Sequence, residues 1–408
     1  MVAPKLRFKE FDGDWSRYKI AEVTEYLVDG THFSPKTTEG EFKYITSKNI
    51  RNDGLDLTNI SYISKDEHEK IYKRCKVQLG DILLTKDGAN TGNCCLNTLD
   101  EEFSLLSSVA VLRGKKDSFN NNFILQILQS DLGQDTIISS MSGQAITRIT
   151  LAKLKDYSFF FPELTEQTQI TSFLSAVDEK ISQLTQKHAL LSQYKQGMMQ
   201  KLFSQQIRFK ADDGSKFGKW VNKKIIEIAD YVDFRGKTPK KVDNGILLVT
   251  AKNIRFGYID YEVSREYIGS DDFEEVMRRG CAKIGDVLIT TEAPLGNVAS
   301  VDREDIALAQ RVIKYRGKEG ILNNAFLKQK FLSEDFQALI ASKATGGTVQ
   351  GIKGSTLHNL EIYIPQDIEE QTKIANFLSS IDQKIEVVAQ QIEQAKQWKK
   401  GLLQQMFV

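Results

Sequence analysis

The feature that most limits what this chain can fold into is that it is written twice. Residues 166–203, opening Glu166-Gln167-Thr168 and closing at Phe203, align without gaps on residues 370–407 at an offset of 204, with 16 of 38 positions identical. The match continues upstream. Trp15 pairs with Trp220, Thr46-Ser47-Lys48-Asn49-Ile50 with Thr250-Ala251-Lys252-Asn253-Ile254, and Gly80-Asp81-Ile82-Leu83 with Gly285-Asp286-Val287-Leu288. Gly92-Asn93 pairs with Gly296-Asn297, and Phe161-Pro162 with Ile364-Pro365. A sequence with such a period folds as copies of one unit. Each unit is a larger domain, 1–162 or 208–365, followed by a shorter segment, 163–207 or 366–408.

Both shorter segments predict long helices. Leu174, Val177, Ile181, Leu184, His188, Leu191, Lys195, Met198 and Leu202 follow one another in steps of three and four, and so do Leu378, Ile381, Ile385, Val388, Ile392, Ala395, Lys399, Leu402 and Met406. That spacing puts a narrow apolar stripe on one face of each helix, the pattern of a coiled-coil seam. About 40 residues at ~1.5 Å each give a helix of ~60 Å. The second large domain lies between the end of one helix and the start of the other, so its two junctions meet only if the helices run antiparallel. Phe407 is then expected near the first domain, giving an approximate two-fold repeat.

The larger domains read as α+β. Short strands are expected at 42–45, 77–85 and 109–113, and at 246–250, 287–291 and 312–315, with helical stretches at 123–138 and 325–341.

Composition narrows the function classes. The 408 residues carry 55 Lys and Arg against 54 Asp and Glu, which argues against a uniformly basic nucleic-acid coat and leaves local patches. Residues 1–161 hold 21 basic and 22 acidic side chains, and residues 208–364 hold 25 and 22. No apolar run reaches the ~18 residues of a membrane span, so a cytoplasmic chain is expected. Cys75, Cys94, Cys95 and Cys281 match neither a disulfide framework nor a Cys-x-x-Cys zinc spacing.

Signatures of catalysis are missing. Arg235-Gly236-Lys237-Thr238 imitates the end of a phosphate-binding loop, but Tyr231 stands where that loop needs its first glycine. Asp29 with Glu41-Phe42-Lys43 loosely imitates a nuclease centre, and the second copy has Gly245 in place of Glu41. His32, His68, His188 and His358 lie at no metal-ligand spacing. Neither a Gly-x-Ser-x-Gly elbow nor a dinucleotide fingerprint follows a strand.

Several stretches carry a family resemblance: Asp29-Gly30-Thr31-His32-Phe33-Ser34-Pro35, Gly80 through Gly88, Ser142-Gly143-Gln144-Ala145-Ile146, and Pro162…Glu166-Gln167…Ile170…Leu174…Asp178. The second copy answers with Arg235-Gly236-Lys237-Thr238-Pro239, Gly285 through Thr290, Gly346-Gly347-Thr348-Val349-Gln350, and Pro365…Glu370-Gln371…Ile374…Leu378…Asp382. With the order domain, helix, domain, helix, the chain resembles the specificity subunit of type I restriction–modification systems over nearly its whole length.

The resemblance implies two tandem α/β target recognition domains and a pair of long antiparallel helices. Each domain would read one half of a bipartite, asymmetric target in double-stranded DNA. The helices would set the spacing and dock methyltransferase subunits, two in number. It also implies a non-catalytic chain without cofactors of its own. S-adenosylmethionine, ATP and Mg would belong to the modification subunits and to any restriction or translocase subunits. The competing reading is a scaffold that assembles other subunits through its helices without touching DNA.

Two domains fixed on stiff helices can meet two half-sites only at a set separation, about one duplex turn or ~34 Å. Lys and Arg would meet phosphates, and polar loop side chains would read bases. Candidate contacts in the first domain are Thr31, Lys36, Lys48, Asn49, Lys86, Asn90, Thr91, Asn93, Gln144, Thr147 and Arg148. In the second they are Arg235, Lys237, Lys240, Lys241, Lys252, Asn253, Arg255, Thr290, Asn297, Gln350 and Lys353. Asn49 and Asn253 have a competing use in satisfying turn backbone. The copies differ where Glu292-Ala293-Pro294-Leu295-Gly296 stands for Lys86-Asp87-Gly88-Ala89-Asn90, and where Gly351 stands for Arg148.

Overall fold

The structure is a computed structural model that describes residues 3–32, 34–36, 39–141, 147–234 and 239–408. It divides into two compact units, residues 1–185 with 390–408, and residues 186–389. Each unit holds one head and parts of two long helices, α1 (Leu164–Phe203) and α2 (Ile368–Met406).

The first head is built on a four-stranded antiparallel sheet of β1 (Thr24–Asp29), β2 (Ile82–Thr85), β3 (Cys94–Leu96) and β4 (Val109–Gly114), in the order β1-β4-β2-β3. The second repeats it with β5 (Ala229–Asp233), β6 (Val287–Thr291), β7 (Leu295–Ser300) and β8 (Val312–Gly317), in the order β5-β8-β6-β7. In the first head the central strands are apolar over Ile82–Leu84 and Val109–Leu112 because the sheet is covered on both faces. Side chains alternate across a strand, so Ile82 and Leu84 enter one core with Ala110 and Leu112, while Leu83 enters another with Val109 and Val111. Val287 and Ile289 separate from Leu288 in the same way.

A smaller sheet covers one face. In the first head it is Ser61–Ile63, Phe42–Ile45 and Ser104–Leu105, and in the second Lys241–Val242, Tyr267–Ile268, Ile246–Val249 and Ile306–Leu308. The expected strand at 77–85 is shorter, since 77–81 form a turn at Gly80 (φ +83°) whose backbone Gln78 N–H donates to Asp81. The expected helices at 123–138 and 325–341 are each broken in two. The pieces are Asn121–Gln129 with Asp131–Ser140, and Asn324–Leu332 with Glu334–Lys343. Ser130 and Ser333 adopt extended backbone at the breaks, and Ser130 Oγ accepts from the Gly133 N–H as an N-cap.

Head and helix are joined by the repeated Glu-Gln pair. Buried Glu166 accepts from Arg7 Nε and Nη2 at 2.7 Å and from Trp15 Nε1 at 3.3 Å. Glu370 accepts from Arg208 Nε and Nη2 at 2.9 and 2.8 Å and from Trp220 Nε1 at 3.2 Å. Gln167 and Gln371 accept from the backbone N–H of Asn120 and Asn323.

Within each unit the two helix segments run antiparallel. In the first, α1 starts at this junction and Phe407, just past the end of α2, packs on Phe123 of the same head, 5.3 Å between ring centroids. In the second, Phe203 at the end of α1 and Thr372 at the start of α2 both meet Asn323–Leu332. The stripe is buried or half-buried throughout: Leu174, Val177, Ile181, Leu184, Leu402 and Met406 in one unit with half-buried Ile392, and Leu191, Met198, Leu202, Leu378, Ile381, Ile385 and Val388 in the other. Lys399 and Lys195 lie at its margin and pair with Asp178 and Asp382, each at 2.6 Å. No helix among the described residues is long and apolar enough to cross a membrane.

Candidate nucleic-acid interface

Each head gathers its candidate residues around the far end of the strand after the Gly-Asp turn. Arg113 holds buried Asp81 with Nε and Nη2 at 2.7 and 2.8 Å. Arg316 holds Asp286 at 2.6 and 2.7 Å. Burial by itself pushes the Asp286 carboxyl up, but Arg316, the Lys283 N–H and Lys314 outweigh it and hold the group below the ordinary carboxylate range. A rigid strand therefore carries the loop that follows it.

Five candidates are buried, their side chains enclosed within the head. Asn49 Oδ1 accepts from the Thr46 N–H at 3.0 Å while Nδ2 donates to the Asp56 carbonyl at 2.9 Å. Asn253 accepts from the Thr250 N–H and hydroxyl, both at 2.9 Å, and donates to the Asp260 and Ser264 carbonyls. Thr290 Oγ1 accepts from the Asn297 N–H at 3.0 Å, and Thr31 is fixed by its N–H on the Leu105 carbonyl. Lys86 is 2% exposed, with Nζ 3.4 Å from Asp29 and 3.2 Å from Asp87. In this structure these residues shape the loops from within.

Others come together at the surface. In the first head the Thr91 and Thr147 hydroxyls both donate to the Gly88 carbonyl, at 2.6 and 2.9 Å. Asn90 and Asn93 donate to the Ser47 and Ile50 carbonyls at 3.4 Å, bringing exposed Lys48 to the same lip. Arg148 completes it, with Nε 3.3 Å from Asp87 Oδ1. In the second head Asn297 Nδ2 donates to the Ile254 carbonyl at 2.7 Å, joining the turn of Lys252 and Arg255. Gln350 and Lys353 are exposed there. Lys36, whose N–H donates to Glu67, and Lys240 and Lys241 lie apart from the lips, with Lys241 2.7 Å from Glu266. Gln144, Arg235 and Lys237, with the stretches Ser142–Ile146 and Arg235–Thr238, fall outside the described residues.

Hydrogen bonds fix how the two lips correspond. The Lys86 N–H donates to the Ser108 carbonyl and the Thr291 N–H to the Arg311 carbonyl, while the Ile149 and Ile352 N–H groups donate to the Lys86 and Thr291 carbonyls. Thr291 therefore matches Lys86 and Glu292 matches Asp87, one position from the register read in the sequence, because the stretch from Gly285 to Gly296 is one residue shorter than that from Gly80 to Gly92. Arg311, unflagged in the sequence, borders a cleft of about 370 Å³ with Glu292, Gln310 and Lys353. Ser108 is its counterpart, so comparing the copies position by position would have shown the exchange. Among the described residues no group of three or more His, Cys, Asp or Glu side chains could hold a metal.

Both halves of the chain, residues 12–193 and 218–397, match the family model described as type I restriction modification DNA specificity domain. The chain belongs to that family. Members similar to it include the type I restriction enzyme MjaVIII specificity subunit of Methanocaldococcus jannaschii, 26% identical over 97% of this chain and 94% of that protein. The MjaIX specificity subunit of the same organism is 31% identical over 45% of this chain and 43% of its own length. Among solved structures, the S subunit of a type I restriction–modification system from M. genitalium has a similar fold, with a TM-score of 0.62 at 16% identity, covering 100% of this chain and 99% of that one. The duplicated heads and paired helix segments are thus the family's fold, and the lips stand in both of its matched domains.

Proposed function

We propose that this chain is the sequence-specific DNA-recognition subunit of a type I restriction–modification complex, each head reading one half of a bipartite target. The observation that carries the reading is the pair of polar lips, built at the same place in two heads that both match a DNA specificity domain. Two related but unequal lips suit two unequal half-sites. Bases would be met by exposed or half-exposed side chains: Lys48, Asn90, Thr91, Asn93, Thr147 and Arg148 in one head, and Lys252, Arg255, Asn297, Gln350 and Lys353 in the other. Lys36, Lys240 and Lys241 suit phosphate contacts flanking them.

The helices would hold the heads at a fixed spacing and dock two methyltransferase subunits. Chemistry would rest with those partners, S-adenosylmethionine on the modification subunits and ATP with Mg on any restriction subunits. With heads of net charge −1 and +3, from the 21 basic and 22 acidic residues of 1–161 and the 25 and 22 of 208–364, the isolated chain would bind duplex DNA weakly, firm binding following assembly.

The test is to map methylated bases genome-wide in cells with and without this chain. A split motif methylated only when the chain is present is the expected result. A methylation pattern indifferent to the chain would favour the scaffold instead.

A further inference from the structure

In each lip an arginine sits beside the carboxylate at the matching position, and that arginine comes from different places in the two heads. Asp87 is flanked by position 148 on one side and position 108 on the other, and Glu292 by the matching positions 351 and 311. The first head puts its cation at Arg148 and leaves Ser108 opposite. The second has Gly351 there and puts its cation at Arg311, with Nε 2.6 Å from Glu292 Oε1.

The exchange is coupled sterically. A Cβ added at Gly351 would lie 3.1 Å from Glu292 Cβ and 3.3 Å from its Oε2. The longer acid thus leans across the glycine toward Arg311, and an arginine at 351 would compete for that space. Arg311 moreover sits at φ +72°, a conformation disfavoured for any residue with a side chain and concentrated at functional sites.

We infer that Arg311 in the second head, like Arg148 in the first, is a specificity-determining residue that reads a guanine edge in its own half-site. This rests on the proposed function and adds the residue and the base. A guanidinium fork matches guanine O6 and N7 with two parallel hydrogen bonds. Glu292 Oε1 lies 2.6 Å from Arg311 Nε, and the arginine side chain is 52% exposed, so a ligand can reach the guanidinium from solvent. The acid also decides between base and backbone. A neighbouring carboxylate cancels the charge that would draw a phosphate, while a neutral base edge loses little by its presence.

The test uses the chain assembled with its methyltransferase partners, methylating a duplex library randomised across both half-sites. Arg311→Ala should lose roughly tenfold or more of the preference for guanine at one position of one half-site, leaving the other half unchanged. Arg148→Ala should do the same in the other half. Arg311→Lys, which keeps the charge but not the planar fork, should keep part of that preference, since a lysine also reaches guanine O6 and N7. Preference retained at every position in both Arg311 variants would overturn the inference. So would a uniform fall in methylation across the library with a shallower salt dependence, the signature of a phosphate contact. A wild-type complex with no base preference in that half-site would overturn the underlying reading of the second head, and this inference with it.

Discussion

In the first head Arg113 clasps Asp81, Asn49 closes a turn, and Glu166 gathers Arg7 and Trp15. In the second, Arg316 clasps Asp286, Asn253 closes the matching turn, and Glu370 gathers Arg208 and Trp220. At the lips the heads part: Asp87, Ser108 and Arg148 on one side face Glu292, Arg311 and Gly351 on the other. Leaving a buried charge without its partner costs several kcal/mol wherever it occurs, so the anchors repeat. An exposed charge costs little to replace, so the lips are free to follow whatever they read.

The comparison can be broken first at the anchors. Arg7→Ala and Arg208→Ala should each destabilise by about 3–5 kcal/mol, because each leaves a buried carboxylate, Glu166 or Glu370, without its cation. Urea unfolding of the two variants checks this, and a neutral result in one alone would end the equivalence of the junctions. Asn253→Ala should cost about 2–3 kcal/mol and Asn49→Ala somewhat less, since Asn253 holds one further carbonyl.

Asp286 gives a pH dependence. Its carboxyl lies below the ordinary range in the folded chain, so its contribution is complete above about pH 5 and is lost as pH falls through the folded value. Asp286→Asn should destabilise at neutral pH and flatten the acid limb of a thermal-melt profile. An unchanged acid limb would show that the clasp does not set it. The smallest effect is expected at the seam margin, where Lys195→Met and Lys399→Met should each cost about 1 kcal/mol or less by thermal melting, the half-exposed pairs being screened by solvent.

Much of this was legible in the sequence. The offset of 204 gave the two-copy plan, the three-and-four spacing gave both helices, and the apolar runs located the strands. The sequence also marked Trp15, Glu166 and Gln167 and their counterparts as repeated, without showing that they meet, since they lie some 150 residues apart. Asn49, Asn253, Thr290 and Lys86 were misleading for a physical reason. A polar residue looks the same in sequence whether it faces solvent or meets a partner inside the fold, and only the folded chain separates the two. Arg311 escaped because its partner Glu292 is 19 positions away across a strand pairing.

The central claim is that each head reads its own half of the target. The most direct measurement replaces residues 208–365 with the matching domain of a relative and maps the methylated motif in cells. The account predicts that one half of the motif changes, while the other half and the spacing between them stay as they were. An unaltered motif, or one altered in both halves, would contradict it.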